Sequence, residues 1–231
     1  MPAFFSRQLH STLIILGLAG YTLAKEMPDT TLNTKLSSLT ESGPSPLLAQ
    51  AMFAGPAPGL AADSNLLGVF NVYSNIINPS ISDKENSASW NYLESYLRHA
   101  SMLDPYFYDV YRLSSGLLAF QSEHTRDAIT IMKHGAEYRP WDWETPLIAG
   151  FLAHDLLQDN RLAFDLMKLA TSRPGAPPLA IGLAARFLAD AEDNKTGLQF
   201  LHYMKSIMPK GYAKPIDERI KKLEQEWGTE P

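Results

Sequence analysis

The residues best suited to chemistry in this chain are its histidines and its acidic side chains. His154 and Asp155 are adjacent, and such a pair can bind a metal ion or transfer a proton. The spacing of the other histidines supplies no third ligand, and the chain has no HExxH pattern and no Cys. The sequence therefore predicts no metal site, no cofactor and no catalytic residue.

Other catalytic patterns are also absent from the sequence. No acidic pair lies in an apolar run that would raise a carboxyl pKa for acid catalysis, and no GxSxG motif presents a nucleophilic serine. The segment 55–59, GPAPG, has prolines where a phosphate-binding loop needs backbone N–H donors. These observations favour a binding protein over an enzyme.

Aromatic residues cluster directly after two prolines. The segment 141–143 (WDW) follows Pro140, and the segment 106–108 (YFY) follows Pro105. Such side chains can form a contact patch for a partner, or they can fill the seam between two packed units. Because the two clusters occupy equivalent places, the seam is the favoured interpretation.

The prolines mark a repeat. Pro105, Pro140, Pro174 and Pro209 are 35, 34 and 35 residues apart. Small residues keep the same period in two series, which are Ala128, Ala163 and Gly197, and Gly116 and Gly150. A period near 34 is typical of stacked helix–turn–helix units, which usually form binding surfaces.

The apolar pattern predicts helices from residue 59 to residue 227. They are expected at 59–77, 87–102, 107–121, 124–137, 143–157, 160–171, 177–191, 195–207 and 216–227. Polar turns separate the paired helices, and Asp159 and Asp193 are placed to cap the helices that follow them. The last helix is rich in charge and can cover the end of a stack. The predicted fold is all-α: an α-solenoid of stacked helix–turn–helix pairs with a C-terminal capping helix.

Small and bulky residues recur at fixed places in three successive units. The recurring residues are Gly116, Ala119, Ala128, Met132, Gly135 and Pro140, then Gly150 and Ala153, then Ala185, Gly197, Met204 and Pro209. Their spacing over residues 88–209 resembles the tetratricopeptide repeat (TPR) family, although Arg112, Pro146 and Ile181 stand where its motif has Trp. The chain also resembles membrane-tethered bacterial repeat proteins of undefined role. The resemblance implies a TPR-like scaffold and supplies no catalytic residues.

The resemblance also implies a concave groove lined by the first helix of each pair. Its inward positions would be Gln121, Glu144, Phe151, His154, Asp155, Arg186 and Asp190. An apolar strip with a charged rim can hold an extended peptide or an amphipathic helix. The alternative is that these are ordinary surface residues. Close helix crossings are expected at Gly116, Gly150 and Ala185, where a larger side chain would push two helices apart.

The N-terminal region differs in composition from the rest. An uncharged run from Ser11 to Ala24 follows Arg7, and it spans about 21 Å as a helix, less than the roughly 30 Å core of a bilayer. Residues 1–24 are therefore interpreted as a signal peptide or, alternatively, as an N-terminal membrane anchor. Residues 25–58, rich in Thr, Ser, Pro and Gly, are expected to form a flexible tether. The repeat domain is expected at 59–212 and the capping helix at 213–231.

The charge balance indicates which class of partner the protein binds, and the N-terminal segment indicates where in the cell the protein is located. The chain has 20 Lys and Arg against 25 Asp and Glu, and it lacks the basic stripe that a nucleic-acid binder needs. We expect a protein or peptide partner, membrane contact only through an uncleaved N-terminal segment, and a location in the periplasm or on the periplasmic face of the inner membrane. The expected function is a non-catalytic scaffold of the bacterial cell envelope. The alternatives are an envelope hydrolase or carbohydrate-active enzyme on an α-solenoid, and a structural subunit whose groove its own tether fills.

Overall fold

The computed structural model describes residues 57–78 and 82–227. These residues belong to one compact unit, Ala54–Pro231. The segment interpreted as a signal peptide or anchor, 1–24, lies outside the described residues, as does the tether except for its last two residues. The described part of the chain contains nine α-helices and no strand, which confirms the all-α prediction.

The helices follow one another with short connections. They are α1 (Pro58–Ile76), α2 (Asp83–Leu103), α3 (Tyr108–Leu113), α4 (Thr125–Tyr138), α5 (Glu144–Asp155), α6 (Asn160–Thr171), α7 (Pro178–Ala191), α8 (Asn194–Ile207) and α9 (Ala213–Trp227). A π-helical turn, Ser114–Leu118, extends α3, and a 3₁₀ turn, Lys210–Tyr212, precedes α9. Neighbouring helices pack in chain order, most extensively α1 with α2, α5 with α6, α6 with α7, and α7 with α8.

Aspartate caps fix the start of two helices. The Oδ1 atom of Asp159 accepts a hydrogen bond from the backbone N–H of Leu162 at 3.0 Å. The Oδ1 atom of Asp193 accepts one from the N–H of Thr196 at 2.7 Å. These bonds satisfy N–H groups that have no partner inside the helix. The prediction that these aspartates cap α6 and α8 is confirmed.

Helix α2 begins four residues before its predicted start. Ser82 and Glu85 form a capping box, in which the Ser82 hydroxyl accepts from the N–H of Glu85 and the Glu85 carboxylate accepts from the N–H of Ser82. The hydrogen bonds from the Ser82 side chain and backbone lower the pKa of Glu85. The polar first turn therefore belongs to the helix, although the apolar period begins only later in the sequence.

The helix predicted at 107–121 is interrupted by the π-helical turn. There the N–H of Ala119 bonds to the carbonyl of Ser114 at 3.0 Å, and the Ser114 hydroxyl donates to the carbonyl of Val110 at 2.8 Å. This side-chain bond competes with regular helical hydrogen bonding. Gly116 lies exposed in the turn, and no heavy atom stands within 4 Å of the place its Cβ would occupy. The prediction that Gly116 marks a close helix crossing is wrong.

The other two expected crossings are tightly packed. A Cβ at Gly150 of α5 would lie 3.2 Å from the carbonyl oxygen of Ala163 on α6. Ala185 on α7 is fully buried. Small side chains at these positions therefore let the paired helices approach closely.

The core is continuous from α1 to α9. Met132, Met167 and Leu201 occupy equivalent places on α4, α6 and α8, and all three are fully buried. Phe164 on α6 meets Phe200 on α8 edge to face, with 5.4 Å between the ring centroids. The buried contacts thus recur with the period of the sequence, and burial of such side chains is the main stabilising contribution to a fold.

We expect Gly135→Ala and Gly116→Ala to change stability in opposite directions. A Cβ at Gly135 would lie 2.3 Å from the ring of Tyr111, whose hydroxyl is held by the carbonyl of Pro105 at 2.7 Å. Gly135→Ala should therefore cost about 1–3 kcal/mol through overpacking. Gly116→Ala meets open space and should gain up to about 1 kcal/mol because alanine restricts the unfolded chain. Urea unfolding measures both changes, and equal midpoints for the two variants would contradict the packing described at these glycines.

Candidate functional site

The connections that follow α2, α4, α6 and α8 form one edge of the described unit, here called the loop edge. It comprises residues 104–107, 139–143, 172–177 and 208–212. Arg173 donates from Nη1 to the carbonyl of Arg139 and from Nη2 to the carbonyl of Ala136, both at 2.6 Å. Arg139 in turn donates from Nη1 to the carbonyl of Tyr106 at 2.7 Å. Each arginine thus satisfies carbonyls in the loop or helix end one sequence period earlier.

Asp142 connects the loop edge to the start of α5. Its Oδ2 lies 3.1 Å from Nε of Arg139 and accepts from the Thr145 hydroxyl at 2.6 Å, while its Oδ1 accepts from the N–H of Glu144 at 3.0 Å. Burial raises the pKa of Asp142, but the hydrogen bonds from Thr145 and Arg139 outweigh burial and leave that pKa below its ordinary value. The Arg139 guanidinium also lies 4.8 Å from the ring centroid of Tyr108.

The aromatic residues of the loop edge divide between seam and surface. The rings of Tyr106 and Trp141 stack with centroids 6.1 Å apart and an interplanar angle of 4°. Both side chains are more than half exposed. Trp143 is half-buried beside Gly175 of the next loop. The cluster therefore joins successive loops, as the seam interpretation predicts, and also leaves Tyr106 and Trp141 on the surface.

Five predicted groove residues lie together where α5 and α7 end. The ring of His154 stacks on Phe187 with centroids 4.4 Å apart, and its Nδ1 donates to Asn160 Oδ1 at 2.7 Å. The five residues are Phe151, His154, Asp155, Arg186 and Asp190. Asn160 Nδ2 donates to the carbonyl of Asp190 at 3.4 Å, which links the α5–α6 turn to the end of α7. The cluster therefore spans α5 and α7.

The side chains of this cluster have partners within the cluster or at the adjoining residues Phe187 and Asn160. Phe151 meets Phe187 edge to face at 6.2 Å between centroids. Arg186 Nε lies 3.1 Å from a carboxylate oxygen of Asp190. Asp155 is exposed, with Oδ1 3.9 Å from Nε2 of His154. Within the described residues, no group of three or more His, Cys, Asp or Glu could hold a metal ion.

Glu144 and Gln121 lie apart from that cluster. Glu144 begins α5, ten residues and about 15 Å of helix from His154. Its carboxylate accepts from the Tyr108 hydroxyl at 2.5 Å; burial and this bond raise the pKa of Tyr108 to about 12. Gln121 lines a separate pocket between α2 and the α3–α4 turn. The seven predicted residues therefore do not share one local site.

A groove between α7 and α9 was missed by sequence reasoning. Leu179 and Leu183 of α7 face Pro215 and Arg219 of α9 across a space of about 340 Å³. The sequence predicts α9 only as a cover for the end of the stack, and not as one wall of a groove. The available signal was the spacing of Leu179 and Leu183 from Arg186, which places all three on one helix face.

Comparisons with known proteins supply no relative of this chain. No protein-family model, curated protein or solved structure matches it. Within the described residues, no helix is long and apolar enough to cross a membrane. The described residues form an all-α unit whose neighbouring helices pack in chain order.

We expect Asp142→Asn to lower stability at neutral pH much more than in acid. The folded-state pKa lies below the unfolded value of about 3.9, so the carboxylate stabilises the fold above that pH and the contribution is lost as pH falls through the folded pKa. Removing one partner of the buried pair with Arg139 should cost about 3 kcal/mol at pH 7. Urea unfolding at pH 7 and near pH 3 measures the difference.

The matched control is Asp109→Asn. Asp109 and Arg112 form an exposed pair at 3.8 Å, which should contribute less than about 1 kcal/mol. A loss of stability for Asp142→Asn that is equal at both pH values, or no larger than that of the control, would contradict a buried charge pair at the loop edge.

Proposed function

We propose that this chain is a non-catalytic scaffold that binds a peptide or helix of a partner protein along the exposed face of α7. Leu179, Leu183, Arg186 and Asp190 define this α7 face, because their spacing of i, i+4, i+7 and i+11 forms one stripe. The observation that carries the proposal is that the side chains change from apolar to charged along this stripe. It runs from apolar residues, with Leu179 64% exposed, to the Arg186–Asp190 ion pair.

Helices α5 and α9 flank the α7 face on either side. On the α9 side, Pro215, Arg219 and Lys222 help to line the groove of about 340 Å³. On the α5 side, Phe151 and His154 pack against α7 through the ring of Phe187. A strip with an apolar floor and charged borders suits the apolar face of an amphipathic helix or alternate side chains of an extended peptide.

We further propose that α3–α8 form three stacked TPR-like pairs and that α9 caps them. The support is a set of hydrogen bonds that join residues about one sequence period apart, with separations of 34, 36 and 37 residues. In such an array the α7 face belongs to a longer surface, and Glu144 and Gln121 mark its continuation along the earlier units.

The proposed place of action is the bacterial cell envelope. Residues 1–24 support this proposal, because their short uncharged run after Arg7 has the length and flanks of a signal peptide or anchor. Either form would deliver the helical unit to the periplasmic side of the inner membrane. The partner would then be an envelope protein with an exposed peptide or helix.

Leu179→Glu and Leu60→Glu form a matched pair of variants that tests this function. Leu179 lies on α7, whereas Leu60 is 72% exposed on α1, so both substitutions add a surface carboxylate without opening a cavity in the core. Crosslinking of the purified full chain to envelope fractions should capture the same partner with wild type and Leu60→Glu. Leu179→Glu should reduce the yield about tenfold, the effect of losing about 1.4 kcal/mol at an interface.

Arg186→Glu supplies an independent arm of the same experiment. The substitution reverses the charge next to Asp190 and should also reduce capture. Equal capture by wild type, Leu179→Glu and Arg186→Glu would contradict the α7 face as the binding site. Failure of wild type to capture any reproducible partner would contradict the scaffold function itself.

A further inference from the structure

The side chain of Arg219 on α9 lies across α7 in the groove between these two helices. A Cβ at the buried Gly182 of α7 would lie 3.3 Å from both Cγ and Nε of Arg219 and 3.4 Å from its Cδ. The arginine stem therefore rests on α7 at a position that has no side chain. Leu179 and Leu183, three residues before Gly182 and one residue after it, line the same groove. A cationic side chain is thus held beside two leucines.

Arg219 has no acidic partner in the structure. Across residues 57–78 and 82–227, no ion pair or hydrogen bond involves its guanidinium, and its Nε is closed to solvent. The positions four residues away on α9 hold Pro215 and Leu223, so no i,i+4 carboxylate is available. Arg219 as a whole is half-buried and lines the groove, and Nη1 and Nη2 are not closed off as Nε is. A partly buried charge without a counter-charge costs free energy, and a carboxylate ligand would recover it.

The other two charged residues of the groove, Glu218 and Lys222, are already paired. The carboxylate of Glu218 lies 4.0 Å from Nζ of Lys214, and Nζ of Lys222 lies 3.6 Å from the carboxylate of Glu226. Both pairs join residues four positions apart on α9, on its exposed surface. Arg219 is therefore the charged residue of the groove that lacks a counter-charge.

Helix α7 does not supply the missing negative charge. Its one acidic residue, Asp190, lies eight positions beyond Gly182, which is about 12 Å along the helix. The carboxylate of Asp190 is also paired, at 3.1 Å from Nε of Arg186. The groove thus combines an uncompensated positive charge with the apolar surface of Leu179. Charge complementarity favours a ligand that carries a carboxylate next to an apolar side chain.

We propose that the partner segment recognised at the α7 face is an acidic amphipathic helix, in which Asp or Glu stands one turn from a large apolar residue. The apolar side chain packs against Leu179, Leu183 and Pro215, and the carboxylate accepts hydrogen bonds from the guanidinium of Arg219. This inference rests on the proposed scaffold function and adds the chemistry of the partner to it. A helix with a basic residue in place of the acidic one is disfavoured, because its charge would face that of Arg219.

Peptides of about 12 residues, long enough for about three helical turns, are the probes that test this inference. A random library displayed on phage is selected on the purified full chain. The enriched peptides should carry Asp or Glu three or four positions from Leu, Ile, Met or Phe, because that spacing places both side chains on one helix face. Leu179→Glu should weaken their binding about tenfold, which locates them on the α7 face.

The tightest selected peptide is then synthesised with its acidic residue and, separately, with the corresponding amide. Fluorescence anisotropy measures the binding of both forms to wild type and to Arg219→Gln. Each single change should weaken binding about tenfold, and the two together should weaken it no further than one alone, because both remove the same pair. Lys221→Gln is the matched control: it removes an equal charge from an exposed position of α9 and should bind as wild type does.

The outcomes separate this inference from the scaffold function. Peptides that Leu179→Glu weakens and Arg219→Gln does not would overturn the inference and leave the scaffold function standing. Equal binding of the acidic and amide peptides to wild type would also overturn it, and this comparison involves no protein variant that could misfold. If the selection yields no peptide that Leu179→Glu weakens, both proposals are contradicted.

Light scattering of the full chain without peptide tests a different occupant. A dimer that Leu179→Glu dissociates would show that a second copy of the chain fills the groove, and it would overturn the acidic partner helix. We expect the same mass for wild type and Leu179→Glu.

Discussion

The hydrogen bonds of Arg173 to the end of α4 are the interactions on which the arrangement of the helices depends. The last carbonyls of a helix have no partner inside it, and here the guanidinium of a residue at the end of the next hairpin satisfies two of them, those of Ala136 and Arg139. Arg139 repeats the arrangement towards Tyr106 and also pairs with buried Asp142. The ends of two successive hairpins, α3–α4 and α5–α6, are therefore fixed to the chain one period earlier, in addition to the packing of the core.

This fixation accompanies a particular exposure of the helix faces. The ends of α5 and α7 meet where Phe151 and His154 pack against Phe187. The exposed stripe of α7 then lies between α5 and α9, with an apolar start and a charged end. A surface of this kind suits recognition of a peptide or helix, and each contribution to it comes from a different hairpin.

Much of the fold followed from the sequence, because proline spacing and apolar periodicity report directly on helix length and on the connections. The aspartate caps of α6 and α8 were also readable, since Asp159 and Asp193 stand directly before helical patterns. The π-helical turn was not, because the hydroxyl of Ser114 bonds back into the preceding turn and moves Gly116 to the surface. Local hydrogen bonding of this kind leaves no mark on the apolar period.

The candidate site was predicted less completely than the fold. The family resemblance implied inward positions for His154 and Arg186, and contacts through Phe187 and Asn160 bring the surroundings of these two residues together. The groove against α9 and the pocket beside α2 that Gln121 lines both need side chains from elements distant in sequence. The residues that line these two sites are set by how the hairpins pack. A single sequence predicts which residues share a helix face, but it does not predict which other helix that face packs against.

Hydrogen–deuterium exchange of Arg173→Gln tests most directly whether the arginine contacts hold successive hairpins together. Loss of the guanidinium should speed exchange across the hairpin boundary, at the amides of Arg139 and Asp142, which bond to the carbonyls of Gly135 and Arg139. Faster exchange at these two amides is the result we predict. Exchange that changes only within residues 172–177, next to the substitution itself, would contradict the coupling of hairpins through the loop edge.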